Sequence, residues 1–118
     1  NPYFNPEVEF FVVLMLNTRR RIKGHTIVGM GILDSVLVHP REIFRVAIVA
    51  SAHAVILMHN HPGGDPSPSM ADLRTTRDLI RAGQLLRIEV LDHVIIGQSA
   101  PDRARHYCSL KELGTFYS

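Results

Sequence analysis

The sequence predicts an α/β fold in which a single β-sheet packs against α-helices. Three observations support this prediction. Short apolar runs rich in β-branched and aromatic residues indicate strands, and longer stretches with apolar residues at helical spacing indicate helices. Segments rich in glycine, proline and polar residues separate these elements. Since the chain has 118 residues, we interpret residues 1–118 as one domain with its own hydrophobic core.

The composition excludes several classes of protein. With 46% hydrophobic and 20% charged residues, the chain has the balance of an ordinary globular domain. Its longest uninterrupted apolar run, residues 10–16, is much shorter than the roughly 20 residues that cross a membrane. Cys108 is the single cysteine, which excludes an internal disulfide and a cysteine-based zinc cage. The first residues do not resemble a signal peptide, and we expect a cytoplasmic protein without membrane association.

The first part of the chain predicts a β-hairpin. Residues 9–16 are apolar and rich in Phe and Val, which is typical of a largely buried strand. A polar turn follows at residues 17–21, and residues 22–31 predict the second strand. The glycines of this second strand indicate bends or close backbone approach.

A cluster of basic side chains lies at this turn and consists of Arg19, Arg20, Arg21 and Lys23. One interpretation is a patch that contacts the phosphates of a nucleic acid. The other is a solvated turn between two strands that has no partner. Because no aromatic residues are interleaved with the four charges, we favour the solvated turn.

Two helices are predicted. The first begins at Pro40, because proline is well tolerated in the first turn of a helix, and runs to about residue 52. The side chains at helical spacing that we expect to face the sheet are Ile43, Phe44, Ala47, Ile48 and Ser51 or Ala52. The second helix runs from residue 70 to about residue 86. The residues near one face of it are Leu73, Thr76, Ile80 and Gly83, whereas another face carries Arg74, Asp78 and Arg81 and is interpreted as solvated.

Three further strands are predicted. Residues 54–58 are wholly apolar, as expected of a central strand. Residues 88–96 predict another strand, ended by Gly97, and residues 106–110 predict an edge strand.

The residues that carry chemistry lie between the central strand and the second helix. His59 and His61 are two residues apart, so in an extended backbone both imidazoles point the same way. They are predicted to lie just past the end of the buried strand. Asp72 falls in the first turn of the following helix and offers a carboxylate oxygen as third ligand. Two histidines, one carboxylate and a water molecule form a common arrangement of catalytic zinc.

Each of these residues also has a plainer interpretation. Two histidines near the end of a strand are often ordinary hydrogen-bonded polar residues. Ser69 and Asp72 fit the S-x-x-D pattern, in which the serine caps the helix and the acid lies near its positive end. Both interpretations of Ser69 hold together if its hydroxyl caps the helix and also points into the site.

In type and spacing, His59, His61, Ser69 and Asp72 resemble the JAMM (MPN-plus) signature of metal-dependent, deubiquitinase-like peptidases. The fuller run HNHPGGDP resembles the bacterial RadC branch, as do the segments PRE at 40–42, LDH at 91–93 and IIG at 95–97. The likeness extends from about residue 9 to residue 114. It implies a single mixed sheet flanked by helices, with a JAB/MPN-like (cytidine-deaminase-like) architecture.

The resemblance also implies roles for the site residues. By that likeness His59, His61 and Asp72 bind Zn2+, and Ser69 helps to stabilise a tetrahedral intermediate. The family's upstream glutamate, which acts on the metal-activated water, matches Glu9. Glu7 is a rival for this role, and a polar residue at the start of a strand is the plainer interpretation of Glu9. A zinc-dependent hydrolase acting on peptide or isopeptide bonds of a peptide or protein substrate is therefore expected.

The remaining histidines are not included in the ligand set. His93 follows Asp92 in a buried strand and is a hydrogen-bonded neighbour of the site, a distant fourth ligand or a hydrogen-bonded core residue. Those without ligand-like spacing are interpreted as structural or exposed and are His25, His39, His53 and His106.

Two alternative functions remain open. The basic cluster at Arg19 and the old association of the RadC name with DNA repair favour a nucleic-acid-associated accessory protein that carries a metal site. The other alternative is a metal-bearing interaction module without turnover.

Overall fold

A computed structural model describes residues 8–31, 38–98, 101 and 106–114 of the chain. In chain order its elements are β1 (Glu9–Leu16), β2 (Ile22–Gly31), α1 (Pro40–Val49), β3 (Ala54–Asn60), α2 (Met70–Leu86), β4 (Glu89–Ile96) and β5 (Tyr107–Ser109). Every predicted strand and helix is therefore present. None of the helices in these described ranges has the length and apolar character that crossing a membrane requires.

The five strands form one mixed sheet in the order β2-β1-β3-β4-β5. Strand β1 runs antiparallel to β2 and to β3, β3 runs parallel to β4, and β5 is antiparallel to β4. The helix α2 makes the crossover that two parallel neighbours require. The predicted α/β class with a single mixed sheet is confirmed, and β3 is the central strand as expected.

The hydrophobic core lies between one face of the sheet and both helices. Alternate side chains of each strand point to this face, which is why the burial of β1 alternates along most of its length. The core includes Phe11, Val13, Val55, Leu57 and Val90 from the strands and Ile43, Phe44, Ala47 and Leu79 from the helices.

The helix α1 ends at Val49, three residues earlier than predicted. The backbone N–H of Ala52 donates to the carbonyl of Ala47 at 2.9 Å, and the N–H of Ser51 donates to the carbonyl of Ile48 at 3.0 Å. This pair of bonds is a Schellman motif, and it places Ser51 in the left-handed region with φ 54°. Because glycine usually occupies that place, the serine did not signal the end of the helix.

The prediction for the buried face of α1 is wrong at Ile48, which is 55% exposed. The stripe is centred on Ile43, Phe44 and Ala47, all of which are buried, so Ile48 falls at its edge. The prediction also named Ser51 or Ala52 for this face, and of these two residues Ala52 is buried and Ser51 is exposed.

The buried face of α2 is centred on Thr76, Leu79 and Gly83. The predicted Thr76 and Gly83 are confirmed, whereas Leu73 and Ile80 are half-buried at its edges. Leu79 lies at the centre of the stripe and was not predicted. The charged side chains that were interpreted as solvated are exposed, namely Arg74, Asp78 and Arg81.

The central strand continues two residues further than predicted and includes His59 and Asn60. Both of its neighbours extend the pairing, since His59 is paired with Phe11 of β1 and with Ile95 of β4. His59 therefore lies inside the sheet, and only His61 follows the strand as predicted.

The basic cluster lies at the turn between β1 and β2, and its four side chains are exposed. Arg20 is paired with Glu89 at 3.3 Å, and both side chains are largely exposed. This turn adjoins the C-terminal end of β1, whereas Glu9 lies at the N-terminal end. Seven residue steps along a strand separate the two ends by roughly 24 Å.

The four histidines that were interpreted as structural or exposed are all exposed, namely His25, His39, His53 and His106. Glu7, the rival of Glu9, lies outside the described residues.

Candidate metal centre

Strand pairing brings Glu9 next to the two histidines. In the antiparallel pair of β1 and β3, Phe11 lies opposite His59. Glu9 is two residues before Phe11, and His61 is two residues after His59, so alternation directs these side chains to the same face of the sheet. The rings of Phe11 and His59 stack nearly parallel, with centroids 5.5 Å apart and planes inclined by 4°. This stacking fixes one side of the His59 imidazole.

The two predicted histidine ligands and Asp72 direct their polar atoms towards one another. The Nε2 atoms of His59 and His61 are 3.1 Å apart. The carboxylate of Asp72 faces both rings, with Oδ1 3.2 Å from Nε2 of His59 and Oδ2 3.1 Å from Nε2 of His61. Four atoms that can bind a cation therefore cluster at the junction of β3 and α2.

Glu9 approaches the same cluster from β1, and its side chain is buried. Its Oε1 atom lies 4.0 Å from Nε2 of His59. The ligand atoms of Glu9, His59 and His61 all lie within 4.8 Å of one another, so these three residues form a candidate metal-binding set. Asp72 forms a second set with the same histidines, and its carboxylate lies closer to His59 than that of Glu9. The two sets differ only in the acid.

A capping box at the start of α2 orients Asp72. Ser69 is the N-cap residue, and its Oγ atom accepts a hydrogen bond from the backbone N–H of Asp72 at 3.0 Å. In return, Oδ2 of Asp72 accepts from the backbone N–H of Ser69 at 2.8 Å. The plainer interpretation of Ser69 as a helix cap is confirmed, while its catalytic role stays a prediction.

The loop after β3 orients His61. Nδ1 of His61 lies 2.9 Å from the backbone carbonyl of Asp65, and since a carbonyl only accepts, this nitrogen carries the proton and donates. The Nε2 atom of a neutral His61 ring therefore presents a lone pair to the cluster. The loop is hydrogen-bonded to the segment just after β4, where the carbonyl of Gly64 accepts from the backbone N–H of Gln98 at 2.7 Å.

His93 contacts His59 from the side away from the cluster. Its Nε2 atom is 2.7 Å from Nδ1 of His59, and its Nδ1 atom lies against the hydroxyl of Thr76. Burial lowers the pKa of His93 to about 3, so the ring is neutral. Among the three interpretations of His93, the hydrogen-bonded neighbour of the site agrees with these contacts.

Asn60 stands between the two histidines in sequence and is buried. Its Oδ1 atom accepts from the backbone N–H of Phe10 at 2.7 Å, and its Nδ2 atom donates to the backbone carbonyl of Val8 at 2.8 Å. These two backbone groups flank Glu9, so one side chain holds the chain on both sides of the acid.

The electrostatics of the cluster favour a carboxylate paired with a proton or a cation. Burial alone would raise the pKa of Asp72, but hydrogen bonds from His59, His61 and the backbone of Ser69 outweigh it and hold this pKa well below its usual range. The hydrogen bond to Asp72 raises the pKa of His61, although burial opposes the shift. An anionic Asp72 that faces the Nε2 atoms of two histidines attracts a positive charge, which is a proton on a ring nitrogen or, in its place, a bound cation.

This donor set fits a divalent metal ion. Imidazole nitrogens and carboxylate oxygens are the donors that zinc and related transition metals take in proteins. Each of these three side chains also has a hydrogen-bonding partner outside the set, as is usual for metal ligands. The partners are His93 for His59, the carbonyl of Asp65 for His61 and the backbone N–H of Ser69 for Asp72. The site residues can therefore hold a metal ion.

Sequence reasoning brought together four of these residues and missed two others. His59, His61, Asp72 and Glu9 all lie at the cluster as expected. Asn60 was not predicted, although a polar side chain on the opposite face of a buried strand needs hydrogen-bond partners and so gave a signal. Thr76 was predicted only as part of a helix face, and nothing in its spacing pointed to His93.

A family model described as the RadC-like JAB domain matches residues 2–115. This chain belongs to that family. The predicted resemblance to the RadC branch is thereby confirmed over nearly the whole of this RadC-like JAB domain. The mixed sheet and two helices described above are consistent with the JAB/MPN architecture.

Curated relatives of this RadC-like JAB domain carry the name UPF0758 protein. The one from Alkaliphilus metalliredigens is 50% identical over 104 residues, which cover 88% of this chain and 42% of the relative. The one from Chlorobaculum parvum is 55% identical over 89 residues, covering 75% of this chain and 40% of the relative. A relative from Methanosarcina mazei is 44% identical over 106 residues, with shares of 90% and 44%. The chain thus spans less than half the length of these relatives.

Proposed function

We propose that this RadC-like JAB domain is a zinc-dependent hydrolase of the JAMM type that cleaves peptide or isopeptide bonds. The observation that carries the proposal is the convergence of His59, His61 and Asp72. Two imidazole nitrogens and two carboxylate oxygens face one another at 3.1–3.2 Å. Two histidines and a carboxylate leave a coordination position of zinc for water or substrate, as catalytic sites require.

Asp72 is the preferred third ligand of the two acids. Its two carboxylate oxygens lie 3.2 Å and 3.1 Å from the Nε2 atoms of His59 and His61, whereas Oε1 of Glu9 lies 4.0 Å from Nε2 of His59. The capping box also holds the carboxylate in this orientation. The longer distance of Glu9 suits a group that contacts a water molecule beside the metal.

Glu9 is then the general base. A zinc ion held by these ligands would lower the pKa of a water molecule and polarise the carbonyl of the scissile bond. Glu9 accepts a proton from the attacking water and later delivers it to the leaving amine. Its side chain is buried and its Oε1 atom lies 4.0 Å from Nε2 of His59, which places the carboxylate near the site where proton transfer is needed.

Ser69 is proposed to assist where negative charge develops on the carbonyl oxygen. Its Oγ atom accepts from the backbone of Asp72, so its own proton remains to be donated elsewhere. A hydroxyl donor placed at such an oxygen contributes on the order of 100-fold in rate. The assignment of peptide and isopeptide bonds as substrates is supported by the likeness to JAMM peptidases.

Metal analysis combined with a cleavage screen tests this proposal. We expect the purified chain to retain about one zinc ion and to cleave members of a panel of linear peptides and isopeptide-linked proteins. A chelator should abolish cleavage, and added zinc should restore it. A chain that retains no zinc, or cleavage that persists after complete removal of the metal, would contradict the proposal.

A nucleic-acid-associated role is the second candidate, and the exposed basic turn favours it. The side chains of Arg19, Arg21 and Lys23 are exposed and available to phosphates. The turn lies at the opposite end of β1 from the metal centre, so phosphates bound there would contact a surface separate from the centre. This role would therefore add to hydrolysis at a separate surface.

Salt-dependent binding to DNA tests the second candidate. Replacing both Arg19 and Arg21 by Glu leaves the Arg20–Glu89 pair in place and reverses two exposed charges. If the turn binds phosphates, this variant should lose binding, whereas Arg77→Glu with Arg81→Glu on the exposed face of α2 should retain it. Equal binding by both variants would exclude the turn as the contact.

A further inference from the structure

We propose that Thr76 and His93 are positioning residues that determine which nitrogen of His59 carries its proton. In this role they leave the Nε2 lone pair of His59 directed at the metal ion. The inference rests on the proposed zinc site and names two residues outside its ligand set. It follows from an unbroken chain of polar contacts through the interior of the domain.

The chain of contacts begins at the backbone carbonyl of Asp72. The Oγ1 hydroxyl of Thr76 donates to this carbonyl at 2.7 Å. The same hydroxyl lies 2.5 Å from Nδ1 of His93, and Nε2 of His93 lies 2.7 Å from Nδ1 of His59. Nε2 of His59 then faces the metal centre. Four groups from three elements are thus joined in series.

The direction of each hydrogen bond follows from the first. A hydroxyl has one proton, and the proton of Thr76 is used on the carbonyl of Asp72, so its oxygen accepts from Nδ1 of His93. A neutral imidazole has one N–H, and therefore Nε2 of His93 has a lone pair. Nδ1 of His59 must then carry the proton that fills this contact. The only nitrogen of His59 left without a proton is Nε2, the atom at the centre.

Because the hydrogen-bond partner of His59 is itself a histidine, a third group, the hydroxyl of Thr76, is needed to determine which nitrogen of His59 carries the proton. A carbonyl such as that of Asp65 can only accept, so by itself it determines that Nδ1 of His61 carries the proton. His93 either donates or accepts through Nε2, and so by itself it leaves the proton of His59 undetermined. The hydroxyl of Thr76 removes this ambiguity because the carbonyl of Asp72 takes its proton.

Burial prevents water from replacing these contacts. His93 is 1% exposed, and Thr76 and His59 are each 3% exposed. At such buried positions, an N–H group or a lone pair that loses its partner cannot form a replacement hydrogen bond with water. Removing the Thr76 hydroxyl should therefore affect His59 although Thr76 is not placed in the ligand set.

Zinc affinity of three variants tests the proposal. Thr76→Val removes the hydroxyl with little change of shape, and Thr76→Ser retains it. Thr75→Val makes the same change at the adjacent, half-buried position of α2 and is the matched control. We expect zinc to bind Thr76→Val about 10-fold to 100-fold more weakly than the wild type, in a competition assay with a chromophoric chelator. Thr76→Ser and Thr75→Val should bind zinc like the wild type.

Nuclear magnetic resonance of the zinc-loaded wild type gives a second measurement that needs no variant. Long-range correlations between ring protons and ring nitrogens should show the proton of His93 on Nδ1. A proton on Nε2 of His93 would overturn the proposal, as would wild-type zinc affinity in Thr76→Val. Since both measurements concern binding, a chain that binds zinc but cleaves nothing would contradict the proposed function and leave this inference intact. A wild type that binds no zinc would overturn both.

Discussion

The Oδ1 atom of Asn60 accepts a hydrogen bond of 2.7 Å from the backbone N–H of Phe10, a residue 50 positions earlier in the chain. Its Nδ2 atom donates to the carbonyl of Val8, so the two contacts enclose Glu9. The end of β3 and the residue after it therefore supply two proposed ligands, His59 and His61, and Asn60 between them holds the backbone on both sides of the proposed base. Glu9 and His59 are held in register because they lie on the paired strands β1 and β3.

Replacing Asn60 by Ala should loosen Glu9 without removing a ligand. Two backbone groups lose their partners, so we expect the free energy of unfolding to fall by about 2 kcal/mol in a denaturant titration. Zinc affinity should remain near that of the wild type, while cleavage slows. Asn17→Ala is the control, because Asn17 also makes two side-chain bonds to backbone, to the N–H groups of Arg19 and Arg21 at the distant turn. Equal cleavage by both variants would show that Asn60 acts on stability alone.

Replacing Asp72 by Ala should abolish stoichiometric zinc binding, because the carboxylate that faces both histidines is lost. Asp72→Asn retains a side-chain oxygen that can accept from the N–H of Ser69, so it separates the loss of the charge from the loss of the cap. Metal analysis of both variants should show weak or absent zinc. Asp78→Asn, at an exposed position of the same helix, should bind zinc like the wild type. Full zinc content in Asp72→Ala would remove Asp72 from the ligand set.

Replacing Glu9 by Gln distinguishes the two candidate ligand sets. If Glu9 is the general base, the variant should retain zinc and lose cleavage by a factor on the order of 100 to 10,000. If Glu9 is instead the third ligand with His59 and His61, zinc should be lost together with activity. Metal content measured beside the cleavage rate decides between them.

The local pattern of the sequence was sufficient for most of the fold. The bounds of β1, β2 and α2 agree with the prediction. An apolar run marks β1, the polar turn at residues 17–21 marks the start of β2, and apolar residues at helical spacing mark α2. The ends of α1 and β3 were missed for tertiary reasons. Ser51 adopts a left-handed conformation that serine does not signal, and β3 is extended by pairing with β1 and β4 on both sides.

The candidate site was predictable only where its residues are close in sequence. His59, His61 and Asp72 lie within one strand, loop and helix start, and their spacing sufficed to bring them together. Glu9 required the family resemblance, because 50 residues separate it from His59 and only the strand register joins them. The contact of Thr76 with His93 depends on how α2 packs on β4, which no local pattern contains.

The metal-free chain should lose stability as the pH rises above neutrality, because of His61. Its pKa is raised above 6.5 in the folded state, chiefly by the hydrogen bond to Asp72. A raised pKa contributes stability that is fully present below about pH 6.5 and is lost as the pH rises through the folded value. The lowered pKa of Asp72 acts oppositely, with a contribution that is present above about pH 3.8 and lost as the pH falls further. The pair is therefore most stabilising between these two limits.

Thermal unfolding with a chelator and with zinc measures this effect. Between about pH 6 and about pH 8, the melting temperature of the metal-free wild type should fall relative to His61→Gln, which lacks the titrating ring. Zinc requires a neutral His61, so the rise in melting temperature on adding zinc should be larger at the higher pH. Parallel pH profiles of the wild type and His61→Gln without metal would contradict the pairing of His61 with Asp72.

Gly97 is required where the loop that carries His61 docks on the end of β4. A Cβ atom at Gly97 would lie 2.1 Å from the carbonyl oxygen of Gly64, so the backbone would have to move. We expect Gly97→Ala to lower the free energy of unfolding by about 1–3 kcal/mol and to weaken zinc binding, since the same loop supplies the Asp65 carbonyl that orients His61. Gly63→Ala is the matched control, because a Cβ atom there meets no atom within 4 Å. Its unfolding free energy should stay within about 0.5 kcal/mol of the wild type. If Gly97→Ala and Gly63→Ala behave alike in both measurements, the loop does not depend on this close contact.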